Sequence, residues 1–374
     1  MPFYNDLRPE KDFKDKDYLQ VFKPLEQHVK IRTIDGIIRL KSALAAQIPK
    51  RRKDQNLLIA SWNIKEFGHT KQRLPEAYFY LAEIISHFDL VVIQEVKSTL
   101  KDLSIIMRLL GSDWEYLVSD ITSGKKGNSE RSAYLYNKKR VRLSGLAGEL
   151  VLWDEITADS KVKQLKRTPY LTGFRAGWKS FAMLSVHLQP NDDKKSVAFR
   201  KEEARLLLKA LKRKIKEHWT SRVVIAGDFN FYHSKDGPTV ELFNKAGFRE
   251  IDSLKDQDTN VSGSEVFDRM FVNRGDYFRI AKRPDGMESG GVFNPFTEVY
   301  RDGEEVEYME DIIAAYGGKK DLRNNPTALR KQFQFFWKRN QISDHLPIWF
   351  ELSIDDSVSF LESKRRDLLE PNVA

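Results

Sequence analysis

Asn63, Glu95, His187, Asp228, Asn230, Asp268 and the adjacent pair Asp344–His345 share one feature: each ends or interrupts an apolar run. Charged and amide side chains are rarely buried without partners. Their concentration at the ends of apolar runs points to one shared pocket at the edge of a sheet. Singly, each has a plainer explanation as a cap, a turn residue or a satisfied core histidine. Those explanations become hard to sustain together. Glu95, Asp344, Asp228, Asn63 and Asn230 offer oxygen ligands, a set that suits Mg²⁺, Mn²⁺ or Ca²⁺. There is no HExxH and no thiolate for a catalytic zinc. Hard oxygen donors with two histidines, His187 and His345, fit attack of water on a phosphate ester. Acyl transfer is the rival chemistry. No GxSxG elbow is present, and Ser343 beside Asp344 and His345 is too local to form a triad.

Buried strands must position these side chains. The stretch RVVIAGDFN, residues 222–230, starts with consecutive β-branched residues, as expected of a strand buried on both faces. If the chain stays extended, alternation puts Asp228 and Asn230 on one side. LLIASWN ends in Asn63, Leu90 to Gln94 runs into Glu95, and Phe181 to Val186 runs into His187. Ala133 to Tyr136, Phe267 to Val272 and Pro347 to Leu352 read as further strands. Helical spacing predicts helices over Pro75 to Phe88, Thr99 to Leu110 and Ala198 to His218. Ile34 to Ile48 predicts another, stopped by Pro49.

Residues 1–55 read as an N-terminal extension with that helix and the basic run Lys50 to Lys53. Residues 56–353 form the main domain, and 354–374 a tail, helical from Ser357. Residues 281–340 fit the strand-helix alternation poorly and read as an insertion, with a helix at Met309 to Tyr316. Within it, Arg330, Lys331, Phe333, Phe335, Phe336, Trp337, Lys338 and Arg339 mix cations with aromatics. Most of these aromatics are expected to pack on the core, and the alternative is a substrate wall.

The 374 residues allow one large domain or two ordinary ones, and 41% hydrophobic content supports a sizeable core. The net charge of +9 favours polyanionic partners. The chain has no cysteine, which excludes disulfides, thiolate metal sites and a cysteine nucleophile. The charged N-terminus does not read as a signal peptide, and no run approaches the ~20 apolar residues that span a bilayer. The expectation is a soluble, cytoplasmic protein with no stable membrane association.

The segments WNIKEFG (62–68), IQEVKS (93–98), SVHLQP (185–190), GDFN (227–230), FDRMFV (267–272) and ISDHLP (342–347) resemble the ordered motifs of the endonuclease/exonuclease/phosphatase superfamily. The deoxyribonuclease I-like branch is the most similar. The resemblance runs from about Leu57 to Leu352. It implies an α/β fold, a four-layer α/β sandwich of two mainly antiparallel sheets flanked by helices. It implies Glu95 as the principal Mg²⁺ ligand, with Asn63 and Asp344 completing or orienting the shell, and Mn²⁺ as a substitute. It implies His345 as general base polarised by Asp268, and His187 as the second histidine with Glu130 as its carboxylate partner. Asp228 and Asn230 would hold the attacking water and the scissile phosphate, and Arg167 would contact phosphate. Lys97 stands where that branch carries an arginine, and lysine is a poorer bidentate phosphate contact. Asn128 stands where the branch has a tyrosine two positions before Glu130.

The expected function is therefore Mg²⁺-dependent hydrolysis of a phosphodiester, with DNA as the preferred partner and endonucleolytic action. The alternative is a phosphatase or phospholipase acting on inositol phosphates or sphingomyelin, since the same site serves them. A catalytically inactive nucleic-acid-binding module ranks below both, because the proposed ligands and histidines are all present.

Overall fold

In the computed structural model, alternation along each strand decides the architecture. The structure describes residues 2–15, 19–68, 73–121, 129–217, 222–273 and 278–369. Asn128, most of the Gly-Ser-Lys loop before it and His218 lie outside those residues. Twelve strands are present among the described residues: β1 (Asn56–Phe67), β2 (Leu90–Lys97), β3 (Trp114–Val118), β4 (Glu130–Asn137), β5 (Arg142–Glu149), β6 (Tyr170–Ala176), β7 (Lys179–His187), β8 (Val223–Asp228), β9 (Phe248–Glu250), β10 (Asp268–Asn273), β11 (Gly290–Val292) and β12 (Ile348–Ser353). They form two six-stranded sheets, ordered β11-β12-β1-β2-β4-β3 and β5-β6-β7-β8-β10-β9.

Successive residues of a strand face opposite sides of the sheet. Leu57 and Ile59 of β1, Leu90 and Val92 of β2, Val224 and Ala226 of β8, and Met270 and Val272 of β10 share one core between the sheets. Their neighbours take the other faces. Leu58, Ala60, Val91 and Ile93 pack outward with helices Gln27–Gln47, Pro75–Ser86 and Lys101–Leu110. Val223, Ile225 and Phe271 pack outward with helices Lys194–Glu217 and Gly237–Lys245. Three cores between four layers make the α/β sandwich.

Each sheet is antiparallel except for one central parallel pair, β1 with β2 and β7 with β8. A parallel pair needs a crossover, and helices supply both. Pro75–Ser86 joins β1 to β2, and Lys194–Glu217 joins β7 to β8. The C-terminal ends of all four strands thus carry site residues.

The N-terminal helix starts seven residues earlier than the spacing suggested, at Gln27, and runs to Gln47. Its Arg32 places Nη2 2.7 Å from Oε2 of Glu76, a carboxylate with no solvent exposure. The guanidinium also covers the ring of Tyr308, 4.1 Å away. Burial pushes the Glu76 carboxyl upward, and Arg32 opposes that shift. Removing one member of a buried pair leaves an uncompensated charge. Arg32→Met should therefore destabilise the chain by about 3–5 kcal/mol, read from urea unfolding.

The segment 281–340 is more than an insertion beside the sandwich. β11 adds an edge strand to the first sheet through pairs such as Gly291 with Trp349. Phe293, Tyr300, Tyr308, Phe333 and Trp337 join the outer core under the N-terminal helix. Lys338 is buried and bonds Asp302 Oδ1 at 2.6 Å, which removes it from any substrate wall. Phe335 and Phe336 face outward. No helix among the described residues is long and apolar enough to cross a membrane.

Candidate active site

The strand faces that fill the inter-sheet core turn polar at one end. β1 continues Leu57, Ile59 into Ser61 and Asn63, and β8 continues Val224, Ala226 into Asp228. By the same parity β7 delivers Ser185 and His187, β4 delivers Glu130 and Ser132, and β10 begins with Asp268. Register brings them together: Asn63 sits opposite Gln94, His187 opposite Asp228, Asp228 opposite Asp268, and Lys97 opposite Glu130.

Glu95 needs a further device, because simple alternation after Leu90 and Val92 would turn it to the helix side. The β2–β4 ladder shifts register between Ile93 and Val96, and the β1–β2 ladder shifts between Asn63 and Phe67. A bulge re-aims side chains in this way. Glu95 has φ 60° and Glu66 has φ 45°, an uncommon backbone for residues with a Cβ. Glu66 N–H donates to Glu95 Oε2 at 3.0 Å and fixes the turn. Asn63 Nδ2 donates to Glu95 Oε1 at 3.2 Å.

Asp228 is the junction of the two sheets. Its Oδ2 accepts from Asn63 Nδ2 at 3.0 Å and lies 3.5 Å from His187 Nε2 and 3.8 Å from His345 Nε2. Gly227 makes the close approach possible. Its φ is +146°, and a Cβ there would lie 2.0 Å from the Val186 carbonyl oxygen. Asn230 does not continue the strand as alternation would have it. β8 ends at Asp228, Asn230 takes φ 51°, and its N–H donates to Asp228 Oδ1 at 2.8 Å in an Asx turn. Its Nδ2 donates to the Leu188 carbonyl at 3.2 Å.

Each imidazole has a carboxylate behind it. Nδ1 of His345 lies 2.7 Å from Asp268 Oδ2, and Nδ1 of His187 lies 3.3 Å from Glu130 Oε2. At His345 the bonded carboxylate places the ring proton on Nδ1 and turns Nε2 toward Asp228, whereas at His187 the carboxylate is near Nδ1 without a hydrogen bond. Burial opposes protonation of His345, but the charges of Asp268 and Asp228 and the bond from Asp268 outweigh it, so its pKa is raised well above the usual value. Burial also pushes the Asp268 carboxyl upward, against the charge and hydrogen bond of His345.

Glu130 gathers more than its histidine. Arg167 Nε donates to Oε2 at 2.7 Å and Lys97 Nζ to Oε1 at 3.3 Å. Burial raises this carboxyl, yet the close approach and charge of His187, with Arg167 and Lys97, hold it well below the carboxylate range. The two cations expected on phosphate are thus both partners of Glu130, and Arg167 lines the cleft there.

Asp344 stands apart in one respect. The contact its carboxylate makes is with Lys65, Nζ to Oδ2 at 3.3 Å. The segment is tied to the site through Ser343, whose Oγ donates to the Asn63 carbonyl at 2.7 Å and accepts from the N–H of Lys65 and His345.

Among the described residues no cluster of three His, Cys, Asp or Glu side chains is arranged as a metal site. The residues nonetheless fit a hard cation, on an observation of their own. Asn63 Oδ1 is buried without a hydrogen-bond partner, while its Nδ2 bridges the carboxylates of Glu95 and Asp228. An orphaned amide oxygen beside two carboxylates is a donor set for Mg²⁺.

Residues 60–274 match the model of the Endonuclease/Exonuclease/phosphatase family. The chain belongs to that family. It is 25% identical over 269 residues to deoxyribonuclease-1 of Canis lupus familiaris, covering 68% of this chain and 89% of the dog enzyme. It is 26% identical over 261 residues to deoxyribonuclease-1 of Homo sapiens, covering 66% and 88%. In fold it is similar to a family protein from Bacteroides thetaiotaomicron, with TM-score 0.51, 19% identity and 80% of this chain against 95% of that one. Within this family's fold, residues that sequence reasoning left out are also in place. Gln94 Nε2 donates to Ser61 and Ser185, each at 3.3 Å, and Ser185 donates to Ser132 at 2.9 Å, a polar layer beneath the site. Strand parity would have marked all four.

Proposed function

We propose that this chain is a Mg²⁺-dependent phosphodiesterase that cleaves DNA endonucleolytically. One observation carries the reading: Asp228 lies between two imidazoles, each backed by a carboxylate, beside the orphaned Asn63 oxygen. Glu95 and Asn63 would hold the cation, with Asp344 of the Ser343-tethered turn completing or orienting the shell. The cation would stabilise charge developing on the phosphoryl oxygens. His345, held by Asp268, takes the proton of the attacking water at Nε2 in its neutral form, which the raised pKa populates only at higher pH. His187 with Glu130, Arg167 and Lys97 forms the cationic wall for the phosphate. Asp228 and Asn230 orient the water and the scissile group. The net charge of +9 and the deoxyribonuclease relatives support DNA over a small ester. A cytoplasmic location belongs to the same reading, since a chain without cysteine suits a reducing compartment.

The test is supercoiled plasmid in Mg²⁺, with EDTA as control. Nicking should appear at low salt and fade toward physiological salt, because affinity falls by about 0.9 log units per log unit of salt for each phosphate neutralised. A small phosphodiester should respond mildly. No nicking in Mg²⁺ or Mn²⁺, with rapid release of phosphate or phosphocholine from inositol phosphates or sphingomyelin, would replace the reading by the phosphatase or phospholipase one. Binding of DNA without turnover of any ester would leave only a binding module.

A further inference from the structure

Phe335 and Phe336 are consecutive, large and apolar, yet 51% and 52% exposed. They sit in the π-helical segment Phe333–Trp337, whose other aromatics point inward. Phe333 stacks on both Trp337 and Tyr308, Trp337 tilts against Tyr308, and Trp337 meets Tyr300 edge-on. The widened turn therefore anchors its two ends in the outer core and presents two neighbouring rings to solvent. Single π-turns inside α-helices recur at functional sites. Neither exposed ring pairs with another aromatic ring among the described residues.

The platform is continuous with the candidate active site. Helix Lys338–Gln341 follows it directly and leads into Ser343, Asp344 and His345. That helix is fixed at its end: Arg73 Nε donates to the Gln341 carbonyl at 2.9 Å, and Leu74 N–H to Gln341 Oε1 at 2.7 Å. Arg339 lies 5.6 Å from the centre of the Phe335 ring, and its Nη2 reaches Ser262 Oγ at 3.3 Å. The next residue of that loop, Val261, donates its N–H to the Asp344 carbonyl at 3.0 Å. Five helical steps and three extended ones separate Phe336 from Asp344, a reach of at most roughly 18 Å. At 3.4 Å per stacked nucleotide that is about five nucleotides or fewer.

We propose that Phe335 and Phe336 form a stacking platform for unpaired bases of the strand being cleaved, with Arg339 beside it for the backbone phosphate. This rests on the phosphodiesterase reading above and names the form of substrate that site takes. Two adjacent π-faces accept any base, because stacking needs no hydrogen-bond code. The Arg339 guanidinium is partly exposed and reaches Ser262 through Nη2, so its charge lies beside the ring at the surface. The same two rings could be imagined inserting into a lipid surface. A cation packed against one of them and a polar loop at Asn260, Ser262 and Ser264 favour a nucleic-acid strand.

The experiment compares a labelled single-stranded oligonucleotide with an abasic strand of equal length and charge. Binding is measured in EDTA, so turnover does not enter. The wild-type chain should bind the base-bearing strand roughly tenfold or more tightly than the abasic one. The Phe335→Leu, Phe336→Leu double variant keeps apolar bulk and loses the π-faces. It should bind both strands alike, with an unchanged thermal midpoint as the check on folding. The Phe335→Trp, Phe336→Trp variant should keep the preference. Equal binding of the two strands by the wild type, or a preference that survives in the leucine variant, overturns the proposal. So does binding to phosphatidylcholine–sphingomyelin vesicles that the leucine variant retains while base preference is absent. A wild type that prefers bases but cleaves no phosphodiester in Mg²⁺ sinks the functional reading and leaves the platform. One that cleaves plasmid without base preference does the reverse.

Discussion

Replacing Asp268 by Asn and His345 by Ala in one chain should slow hydrolysis no more than the worse of the two single replacements. Each single change should lower kcat/KM by about 10²–10⁴-fold, the range of general-base removal. The reason lies at Nδ1 of His345, 2.7 Å from Asp268 Oδ2. Asp268 reaches the reaction only through that ring: it fixes the tautomer and supports the protonated form. Its own position is set from behind, since Asp268 N–H donates to Thr259 Oγ at 2.9 Å. Once the imidazole is gone, the carboxylate has no further step to assist, so the losses do not multiply. Steady-state rates on a small phosphodiester test this without interference from DNA binding. A double variant as slow as the product of two large independent losses would show that the two residues do not act as a dyad.

The sandwich was legible because its strands are apolar on the inter-sheet face over several residues, as in Leu57 and Ile59 or Val224 and Ala226. Helices Pro75–Ser86, Lys101–Leu110 and Lys194–Glu217 were legible from their stripes, with ends moved by a few residues, whereas Gly237–Lys245 and Pro326–Gln332 were not expected. The first turns of the N-terminal helix, from Gln27 to Thr33, carry only Val29 and an exposed Ile31 as apolar residues, and the Arg32–Glu76 pair holds them rather than an apolar stripe. That pairing spans 44 residues and leaves no local signal. The site residues stood out as polar ends of apolar runs, but their geometry did not. Alternation put Asn230 beside Asp228 in an extended chain, whereas the side chain of Asp228 competes for the Asn230 N–H and ends the strand. Glu95 reaches the site only through a bulge, and bulges depend on the opposing strand. The sharing of Glu130 by His187, Arg167 and Lys97 joins three elements and is invisible one segment at a time. In the segment before Ser343 the mixture of cations and aromatics was visible, but burial sorts it. Lys338 turns inward to Asp302, and Phe335 and Phe336 turn outward.

Glu95→Gln should raise the Mg²⁺ concentration needed for half-maximal rate by roughly 100-fold or more, beyond the 10–100-fold typical of losing a supporting residue around a metal. The substitution keeps shape and one carbonyl oxygen, so Asn63 Nδ2 or Glu66 N–H still finds an acceptor. What it removes is the formal charge that a hard cation seeks. The other carboxylates nearby do not replace it easily. Asp228 is turned toward Asn63 and the two imidazoles, and the Asp344 carboxylate contacts Lys65. Binding can be read apart from turnover. A cation that binds the folded chain alone raises its thermal midpoint, by an amount set by concentration over dissociation constant. Adding Mg²⁺ should therefore raise the midpoint of the wild-type chain and leave that of Glu95→Gln nearly unmoved. Asn63→Ala should weaken the response as well, since it deletes the orphaned oxygen, but it also cuts the bridge between Glu95 and Asp228 and so perturbs the site more broadly. The informative comparison is thus the isosteric one. Unchanged turnover at limiting Mg²⁺ together with an unchanged thermal response in Glu95→Gln would move the cation away from the β2 bulge and onto other oxygens of the cleft.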